Sequence, residues 1–305
     1  MTGDRGVIEH ENDSVDLVWP ADGYQLLDFG DGRKLERFGG VIVDRVCPAA
    51  ERAKKMGHVA WATADIRLNH QGKPLGRLPT DLESWEVKLA GCRFQLKLTP
   101  FGHVGIFPEH VRSWDWLGKQ LSVHRGSFAE PARVLNLFGY TGAATLLLAS
   151  AGAAVVHVDA SAPAVKWARS NAEKSGLADK SIRWIVDDAR KFVARELRRG
   201  NTYDFVVLDP PTYGHGPGGT RWDIQQHLPD LLSGVVSLLN TTSSAVVLTS
   251  HSARPDLDET EDLLERSLRA RSRITTGSTT GRMYLSDQRQ RRLDAGFFIR
   301  NLSHT

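Results

Sequence analysis

Along most of the chain, short apolar runs alternate with segments whose apolar residues recur at helical spacing. The apolar runs predict buried strands at 134–137, 154–158, 182–186, 205–208, 245–249 and 296–299. The other segments predict helices at 145–151, 162–174, 189–199, 229–239 and 259–269. Strands and helices that alternate at this spacing form βαβ units, which build a parallel sheet covered by helices on both faces. The pattern therefore predicts a doubly wound α/β domain.

The amino-terminal part of the chain has a different pattern, in which short β-type runs are separated by turn residues. The runs at 86–89 and 94–98 flank Gly91 and predict a hairpin. The first residues are polar and predicted to be disordered. The predicted organisation is a disordered tail at 1–14, a β-rich domain at 15–110 that is a candidate for substrate recognition, and the α/β domain at 111–305.

Composition and charge favour a globular protein and exclude several classes. The 305 residues carry 39 Lys+Arg and 36 Asp+Glu, a net charge of +3. No apolar run approaches the ~18 residues of a membrane span, and the start lacks a signal-peptide pattern, so we expect a cytoplasmic protein with no membrane partner. The two cysteines, Cys47 and Cys92, form no Cys-x-x-Cys pair. Neither a disulfide nor a metal site is therefore predicted.

The positive charge is concentrated in the α/β part. Residues 1–110 hold 14 basic and 16 acidic residues, whereas residues 111–305 hold 25 basic and 20 acidic residues. Clustered arginines can bind phosphates, although a solvated helix face and loop are the simpler explanation. The clustered arginines are Arg266, Arg269, Arg271 and Arg273, and then Arg289, Arg291 and Arg292.

Candidate binding residues follow four of the predicted strands. In an open parallel sheet, ligands bind beyond the carboxyl ends of the strands, so these residues are expected to meet at one edge. They are Asn136 with the turn Phe138-Gly139-Tyr140-Thr141-Gly142, then Asp159, then Asp187 and Asp188, and finally Asp209-Pro210-Pro211-Thr212-Tyr213. Three acidic strand ends and one glycine-bearing turn indicate a nucleotide-type site.

Each member of this set also has a plainer explanation. Gly139 and Gly142 would let the backbone approach a ligand, or serve helix–strand packing. Asp159 follows Gly139 by about 20 residues, the spacing at which a carboxylate accepts from ribose hydroxyls, or it is simply solvated. Asp188 would accept from an adenine amine or cap the next helix, and these two roles could also divide between Asp187 and Asp188.

The run Asp209-Pro210-Pro211 is the most informative. Two prolines fix the backbone and leave rigid acceptors after a buried strand, which suits an amine, and Tyr213 could stack on a flat base. The glycine-rich loop 214–219 would act as a lid or remain a plain surface loop, and its His215 is either a base or exposed.

These motifs resemble those of class I S-adenosylmethionine (SAM)-dependent methyltransferases, in particular the bacterial large-subunit rRNA cytosine-C5 and guanine-N7 enzymes. Val134–Gly142 is similar to their N-L-F-x-Y-T-G element, Val158–Ser161 to their V-D-x-S, and Asp209–Tyr213 to their catalytic motif. Gly105–His110 resembles a divergent form of a G-x-F-x-x-x-R segment that lies over the cofactor, and Leu26–Gly39 resembles the opening of the shorter members.

The resemblance implies a Rossmann-like methyltransferase fold with a mostly parallel seven-stranded sheet, and SAM as cofactor. Asp209, with Pro210, Pro211 and Tyr213, would face the methyl acceptor. The implied cofactor-binding residues are Asn136, Phe138, Gly139, Tyr140, Thr141, Gly142, Asp159, Ala160, Ser161, Asp187, Asp188, Ala189 and Asp209.

The positions of the cysteines limit which atom can accept the methyl group. Cytosine C5 is a poor nucleophile, and enzymes that methylate it first add a Cys thiolate to the ring. The family's cytosine branch has this cysteine after the Pro-Pro or after the fifth strand, where this chain has Thr212 and 249–252, Thr-Ser-His-Ser. We therefore predict methylation of a base nitrogen in RNA, with rRNA favoured.

Three other functions remain open at this stage, and the oligomeric state is not predicted. The acceptor could instead be a small amine or a protein side chain. A non-catalytic RNA-binding module with a residual cofactor site is a second alternative, and a nicotinamide oxidoreductase is a third. The intact acidic strand ends disfavour the second, and the missing Gly-x-Gly-x-x-Gly disfavours the third.

Overall fold

A nine-stranded sheet organises the computed structural model, which describes residues 8–10, 13–15, 23–127 and 130–305. Helices pack on both faces of the sheet. Its main strands are β9 (Arg133–Leu137), β10 (Ala154–Asp159), β11 (Ile182–Val186), β12 (Phe205–Leu208), β15 (Ser244–Ser250), β16 (Ile274–Ser286) and β17 (Arg292–His304). The helices of this part are α2 (Val111–Ser127), α3 (Ala143–Ser150), α4 (Ala162–Lys174), α5 (Ala189–Arg198), α6 (Ile224–Ser237) and α7 (Leu257–Ala270).

The strand order is that of a doubly wound sheet with one reversed strand. The main strands lie in the order β16-β17-β15-β12-β9-β10-β11, and only β17 runs antiparallel to its neighbours. This confirms the predicted Rossmann-like, mostly parallel seven-stranded sheet. Strands β12 and β15 are fully buried, and their residues 205–208 and 245–248 are apolar on both faces because helices cover both sides of the sheet.

Two short strands extend this sheet beyond β16. They are β1 (Ile8–His10) and β2 (Asp13–Val15), and both pair with β16 in parallel. Apart from Val15, these residues lie in the tail at 1–14 that was predicted to be disordered, so that prediction is corrected for residues 8–10, 13 and 14. The remainder of the tail lies outside the described residues.

Helix starts follow local capping chemistry. At the start of α4, the Ser161 side chain accepts a hydrogen bond from the amide of Ala164. At the start of α5, the Asp188 side chain accepts hydrogen bonds from the amides of Arg190 and Lys191. Asp256 and Glu259 form a reciprocal capping box at the start of α7. These caps place the helices directly after the strands whose ends form the candidate site.

The amino-terminal part is β-rich, as predicted. It contains a four-stranded sheet, a separate hairpin and one short helix. These elements are β3 (Tyr24–Gly30), β4 (Arg33–Phe38), β5 (Val41–Val46), α1 (His58–Ala62), β6 (Ile66–Arg67), β7 (Trp85–Leu89) and β8 (Cys92–Leu96). A small hairpin of β13 (Tyr213–His215) and β14 (Arg221–Asp223) completes the strands of the described residues.

The two parts of the chain make specific contacts. On α4, the Trp167 indole donates to the carbonyl of Gln95 at 2.8 Å, and the Asn171 amide oxygen accepts from the Gln95 amide at 2.9 Å. Arg291, between β16 and β17, contacts the buried Asp28 and donates to the carbonyl of Lys54 at 2.9 Å. The β-rich part is therefore fixed to the α/β sheet at two places.

Two of the arginines predicted as phosphate-binding candidates are structural instead. Arg291 is committed to the contacts just described, and Arg273 is 8% exposed and donates to the carbonyl of Asn240 at 2.7 Å. Neither offers a free guanidinium, because each satisfies buried acceptors. Within the described residues, no helix combines the length and apolarity that crossing a bilayer requires.

Candidate active site

A cleft of about 600 Å³ lies between the carboxyl ends of the parallel strands and the β-rich part. Most of the predicted strand-end residues line it. They are Phe138, Tyr140, Asp159, Ala160, Ser161, Asp187, Asp188, Ala189, Asp209, Pro210 and Pro211. A smaller cavity of about 50 Å³ shares Phe138, Tyr140 and Asp209 with the cleft, and Asn136, Gly139 and Thr141 line it.

The turn after β9 is shaped by close packing. Phe138 and Tyr140 both have positive φ, at 57° and 48°. A Cβ on Gly139 would lie 2.5 Å from the His157 imidazole, so this position has no room for a side chain. Gly142 starts α3 with φ of 89° and lines neither the cleft nor the small cavity. Both glycines thus serve packing, and Gly139 also faces the small cavity.

A buried polar chain supports the turn from behind. Asn136 donates to the Thr145 hydroxyl at 2.8 Å, and that hydroxyl lies 2.9 Å from Nδ1 of His157. Burial lowers the pKa of His157 to about 3, so this imidazole is neutral near pH 7. Asn136 is therefore held in a fixed, uncharged setting at the edge of the small cavity.

Asp159 is positioned by two backbone amides. Its Oδ2 accepts from the amide of Tyr140 and its Oδ1 from the amide of Ser161, both at 2.8 Å. Burial raises the pKa of Asp159 and outweighs these two hydrogen bonds. The carboxylate keeps further lone pairs directed at the cleft, where it can accept from hydroxyl groups.

Asp187 and Asp188 both have partners. The Asp188 carboxylate caps α5 and pairs with Arg190 at 3.1 Å, whereas Asp187 pairs with Arg195 at 2.6 Å. Burial acts to raise the pKa of Asp188, but the hydrogen bonds from Arg190 and the helix amides outweigh it and lower the pKa. The capping role foreseen for Asp188 is present, and the residue also lines the cleft.

Asp209 lies where the cleft meets the small cavity. Its Oδ1 accepts from the Thr249 hydroxyl at 2.8 Å, and its Oδ2 lies 3.7 Å from Nε2 of His110. The side chain is 28% exposed, so one oxygen remains open to a ligand. A fixed and partly open carboxylate at this position can accept a hydrogen bond from an acceptor amine.

Tyr213 is not brought into the cleft. It is 67% exposed and is not among the residues that line the cleft, although its neighbours Thr212, Gly214 and His215 are. An indole that sequence reasoning did not select lies there instead. The Trp222 ring lies 4.9 Å from the Phe138 ring, and its Nε1 donates to the Pro211 carbonyl at 2.6 Å.

The β-rich part supplies the opposite wall of the cleft, with residues that were not among the predicted site residues. Lys34, Arg45, Cys47 and Pro48 line the cleft. Glu36 is fully buried behind them; burial acts to raise its pKa, but Arg45 and Lys34 outweigh this and lower the pKa to about 2. Burial raises the pKa of the Cys47 thiol, so the thiol is protonated near pH 7.

Rings and imidazoles form the third side of the cleft. Phe107 lies within 6.0 Å of the rings of Tyr140, His110 and His251. Burial and the nearby Arg45 lower the pKa of His103 to about 4. Phe107 and His110 belong to Gly105–His110, the segment that resembles the family's cofactor-covering element. This segment packs against the turn after β9 through a hydrogen bond from the Thr141 hydroxyl to the Gly105 carbonyl.

An open α/β sheet with acidic strand ends around such a cleft defines an enzyme class that binds a nucleoside-containing cofactor. A family model described as S-adenosylmethionine-dependent methyltransferase matches residues 60–254, more than half of the chain. The chain belongs to this family, and its cofactor is SAM.

Known proteins resemble the chain to different extents. A crystal structure of a SAM-dependent methyltransferase from Agrobacterium tumefaciens is 34% identical, covers 99% of this chain and 97% of its own, and superposes with a TM-score of 0.86. Two curated relatives are named ribosomal RNA large subunit methyltransferase K/L. The Shewanella baltica protein is 32% identical over 51% of this chain, and the Syntrophotalea carbinolica protein 31% identical over 67%. The matches span only 21% and 27% of those relatives.

Proposed function

We propose that the protein transfers the methyl group of SAM to a base nitrogen in RNA, with rRNA as the favoured substrate, in the cytoplasm. The observation that carries the proposal is Asp209. Its carboxylate is fixed by Thr249, partly open, and located where the large cleft meets the small cavity. That position suits a group that orients an amine against a sulfonium methyl.

SAM would lie along the carboxyl ends of the strands. The methionine part would lie along Asn136, Phe138, Gly139, Tyr140 and Thr141. The adenosine part would use the acidic strand ends and the residues after them. Asp159 with Ala160 and Ser161 would hold the ribose, and Asp188 and Ala189 the adenine edge, with Asp187 fixed behind them.

The reaction would be an in-line displacement. A nitrogen lone pair attacks the sulfonium methyl, the carbon–sulfur bond breaks, and S-adenosylhomocysteine leaves. Orientation supplies most of the rate, because a sulfonium is already a strong electrophile. Asp209 would accept a hydrogen bond from an N–H of the acceptor and stabilise the positive charge that develops on nitrogen. The methylated nitrogen would then release this proton, through Asp209, to water. Pro210 and Pro211 would keep this carboxylate in place.

A covalent cysteine mechanism is disfavoured by the residues around the cleft. Among the described residues, Cys47 is the one cysteine in the cleft lining, and burial raises the pKa of its thiol. A protonated thiol is a weak nucleophile, since the thiolate is the reactive form. Nitrogen methylation needs no such step.

RNA is the favoured substrate class for two reasons. The relatives named above are ribosomal RNA methyltransferases, and residues 111–305 carry an excess of five basic over acidic residues, 25 against 20. A base would have to leave its stack to reach Asp209. The β-rich part closes one side of the cleft, and this enclosure favours a second candidate, a small amine acceptor.

Methyl transfer from labelled SAM tests the proposal. The full chain is incubated with rRNA from a strain that lacks the gene, and the nucleosides are identified by mass spectrometry. We expect an N-methylated purine, with Asp209→Ala lowering the rate about 10²–10³-fold while SAM affinity is kept. 5-Methylcytosine, or label that appears only on small amines or protein, would overturn the RNA-nitrogen assignment. An unchanged rate in Asp209→Ala would overturn the role of Asp209.

A further inference from the structure

Two imidazoles and a carboxylate converge beside Asp209. Glu109 and His110 come from the 3₁₀ helix Pro108–His110, and His251 directly follows β15. One ligand-type atom from each of the three lies within 4.8 Å of the others. Nε2 of His251 is 3.4 Å from Nε2 of His110 and 3.6 Å from Oε1 of Glu109.

The Glu109 carboxylate of this cluster is buried and incompletely hydrogen-bonded. The residue is 5% exposed, and its Oε2 has no hydrogen-bond partner in the part of the chain that the structure describes. A buried carboxylate without hydrogen bonds is costly unless a cation or donor compensates it. The side chain faces the cleft, and His251, at 3.6 Å, is the nearest cationic-type group that pairs with it.

The geometry fits a small divalent cation. Zn²⁺ binds imidazole nitrogen and carboxylate oxygen at about 2.0–2.2 Å, so neighbouring ligands of a tetrahedral site lie about 3.3–3.6 Å apart. Two of the spacings in the cluster already have these values. The cluster supplies three protein ligands and leaves a further position open towards the cleft. Catalytic zinc sites, rather than structural ones, have this arrangement.

We propose that Glu109, His110 and His251 form a binding site for a divalent transition-metal cation of the zinc class. The open position would take water or an oxygen or nitrogen atom of the methyl acceptor. The site adjoins the acceptor position, because Nε2 of His110 is also 3.7 Å from Asp209. Sequence reasoning predicted no metal here, since residues 110 and 251 are 141 positions apart.

Calorimetric titration of the metal-stripped full chain with ZnCl₂ tests the site. We expect one Zn²⁺ per chain, with at least tenfold weaker binding in Glu109→Gln and in His251→Ala. His103→Ala is the matched control, because this imidazole lines the same cleft outside the cluster, and it should bind Zn²⁺ like the wild type. Co²⁺ should give a visible absorption that the two cluster variants lose.

Absence of stoichiometric Zn²⁺ binding, or equal binding in the wild type and both cluster variants, would overturn the site. A loss in His103→Ala as large as in the cluster variants would overturn the ligand assignment. Circular dichroism and SAM titration are run on every variant, so a folding defect is recognised as such. The metal site does not depend on the proposed reaction, because SAM binding and methyl transfer are measured separately.

Discussion

Individual carboxylates in the cleft differ in how much of their hydrogen-bonding capacity the protein already uses. Asp188 and Asp187 are engaged by arginines and helix amides, whereas Asp209 has one hydroxyl partner and remains partly open. The open acceptor is therefore the one at the junction of the two cavities. Sequence reasoning selected all three positions, but only their contacts distinguish a structural carboxylate from one that is free to meet a substrate.

Cys47 offers a test of the acceptor chemistry at the residue scale. We expect Cys47→Ser to retain methyl transfer within about twofold, since a half-buried thiol with a raised pKa contributes little thiolate. The initial rate is measured with labelled SAM and the same rRNA. The Asp209→Ala variant is the matched loss-of-function control. A loss in Cys47→Ser as large as in Asp209→Ala would contradict the non-covalent mechanism.

Elements differ in how well their sequences predict them. Helix α4 and strands β11 and β12 have the predicted bounds, because α4 begins at the Ser161 cap and each strand is a short, mainly apolar run with polar residues at both ends. Strand β4 was not predicted, since its sequence Arg-Lys-Leu-Glu-Arg-Phe is mostly charged. Its buried Glu36 is stabilised by Arg45 from the neighbouring strand, which is a tertiary pairing that local pattern does not encode.

The residues of the candidate site also differ in how well the sequence predicts them. Residues at the ends of parallel strands were predictable, because sheet topology brings those ends together. The cluster of Glu109, His110 and His251 was not, since its members meet only through the packing of a 3₁₀ helix against the end of β15. The placement of Tyr213 could not be predicted either, because it depends on the hairpin of β13 and β14, which leaves this side chain 67% exposed.

The turn after β9 should be sterically sensitive. Gly139→Ala places a Cβ 2.5 Å from the His157 ring, and we expect a loss of about 1–3 kcal/mol in the free energy of unfolding. Gly40→Ala is the matched control, because a Cβ there meets nothing within 4 Å, and it should change stability by less than ~0.5 kcal/mol. Urea unfolding compares the two. Equal stability of both variants would contradict the packing role.

The pairing of β4 with β5 should make stability depend on pH through Glu36. Its pKa is about 2 in the folded protein against an ordinary 4.5, so its contribution is present above pH 4.5 and lost as the pH falls towards 2. The shift corresponds to roughly 3 kcal/mol near neutral pH. Glu36→Gln should therefore destabilise strongly at about pH 7, and by less than half as much at about pH 3.

The control for this pH dependence is Glu173→Gln, on the exposed face of α4. It should differ from the wild type by less than ~0.5 kcal/mol at both pH values. The free energy of unfolding is measured in urea for all three proteins. A Glu36→Gln deficit that stays constant between the two pH values would show that the carboxylate charge is not what stabilises this strand pair.

At the scale of the whole molecule, the cleft exists because two parts of the chain are held together. Contacts from Trp167 and Asn171 fix the β7–β8 hairpin, and Arg291 fixes the four-stranded sheet of the β-rich part. Lys34, Arg45 and Cys47 consequently form a wall opposite the strand ends. The β-rich part was predicted as a possible recognition module, and its place beside Asp209 is consistent with that role.

Calorimetric titration of the full chain with SAM measures whether this cleft holds the cofactor on its acidic strand ends. We predict one SAM per chain, affinity at least tenfold weaker in Asp159→Ala, and no heat with NADH. The absence of SAM binding, unchanged affinity in Asp159→Ala, or binding of NADH in place of SAM would contradict the assignment of these strand ends as the SAM site.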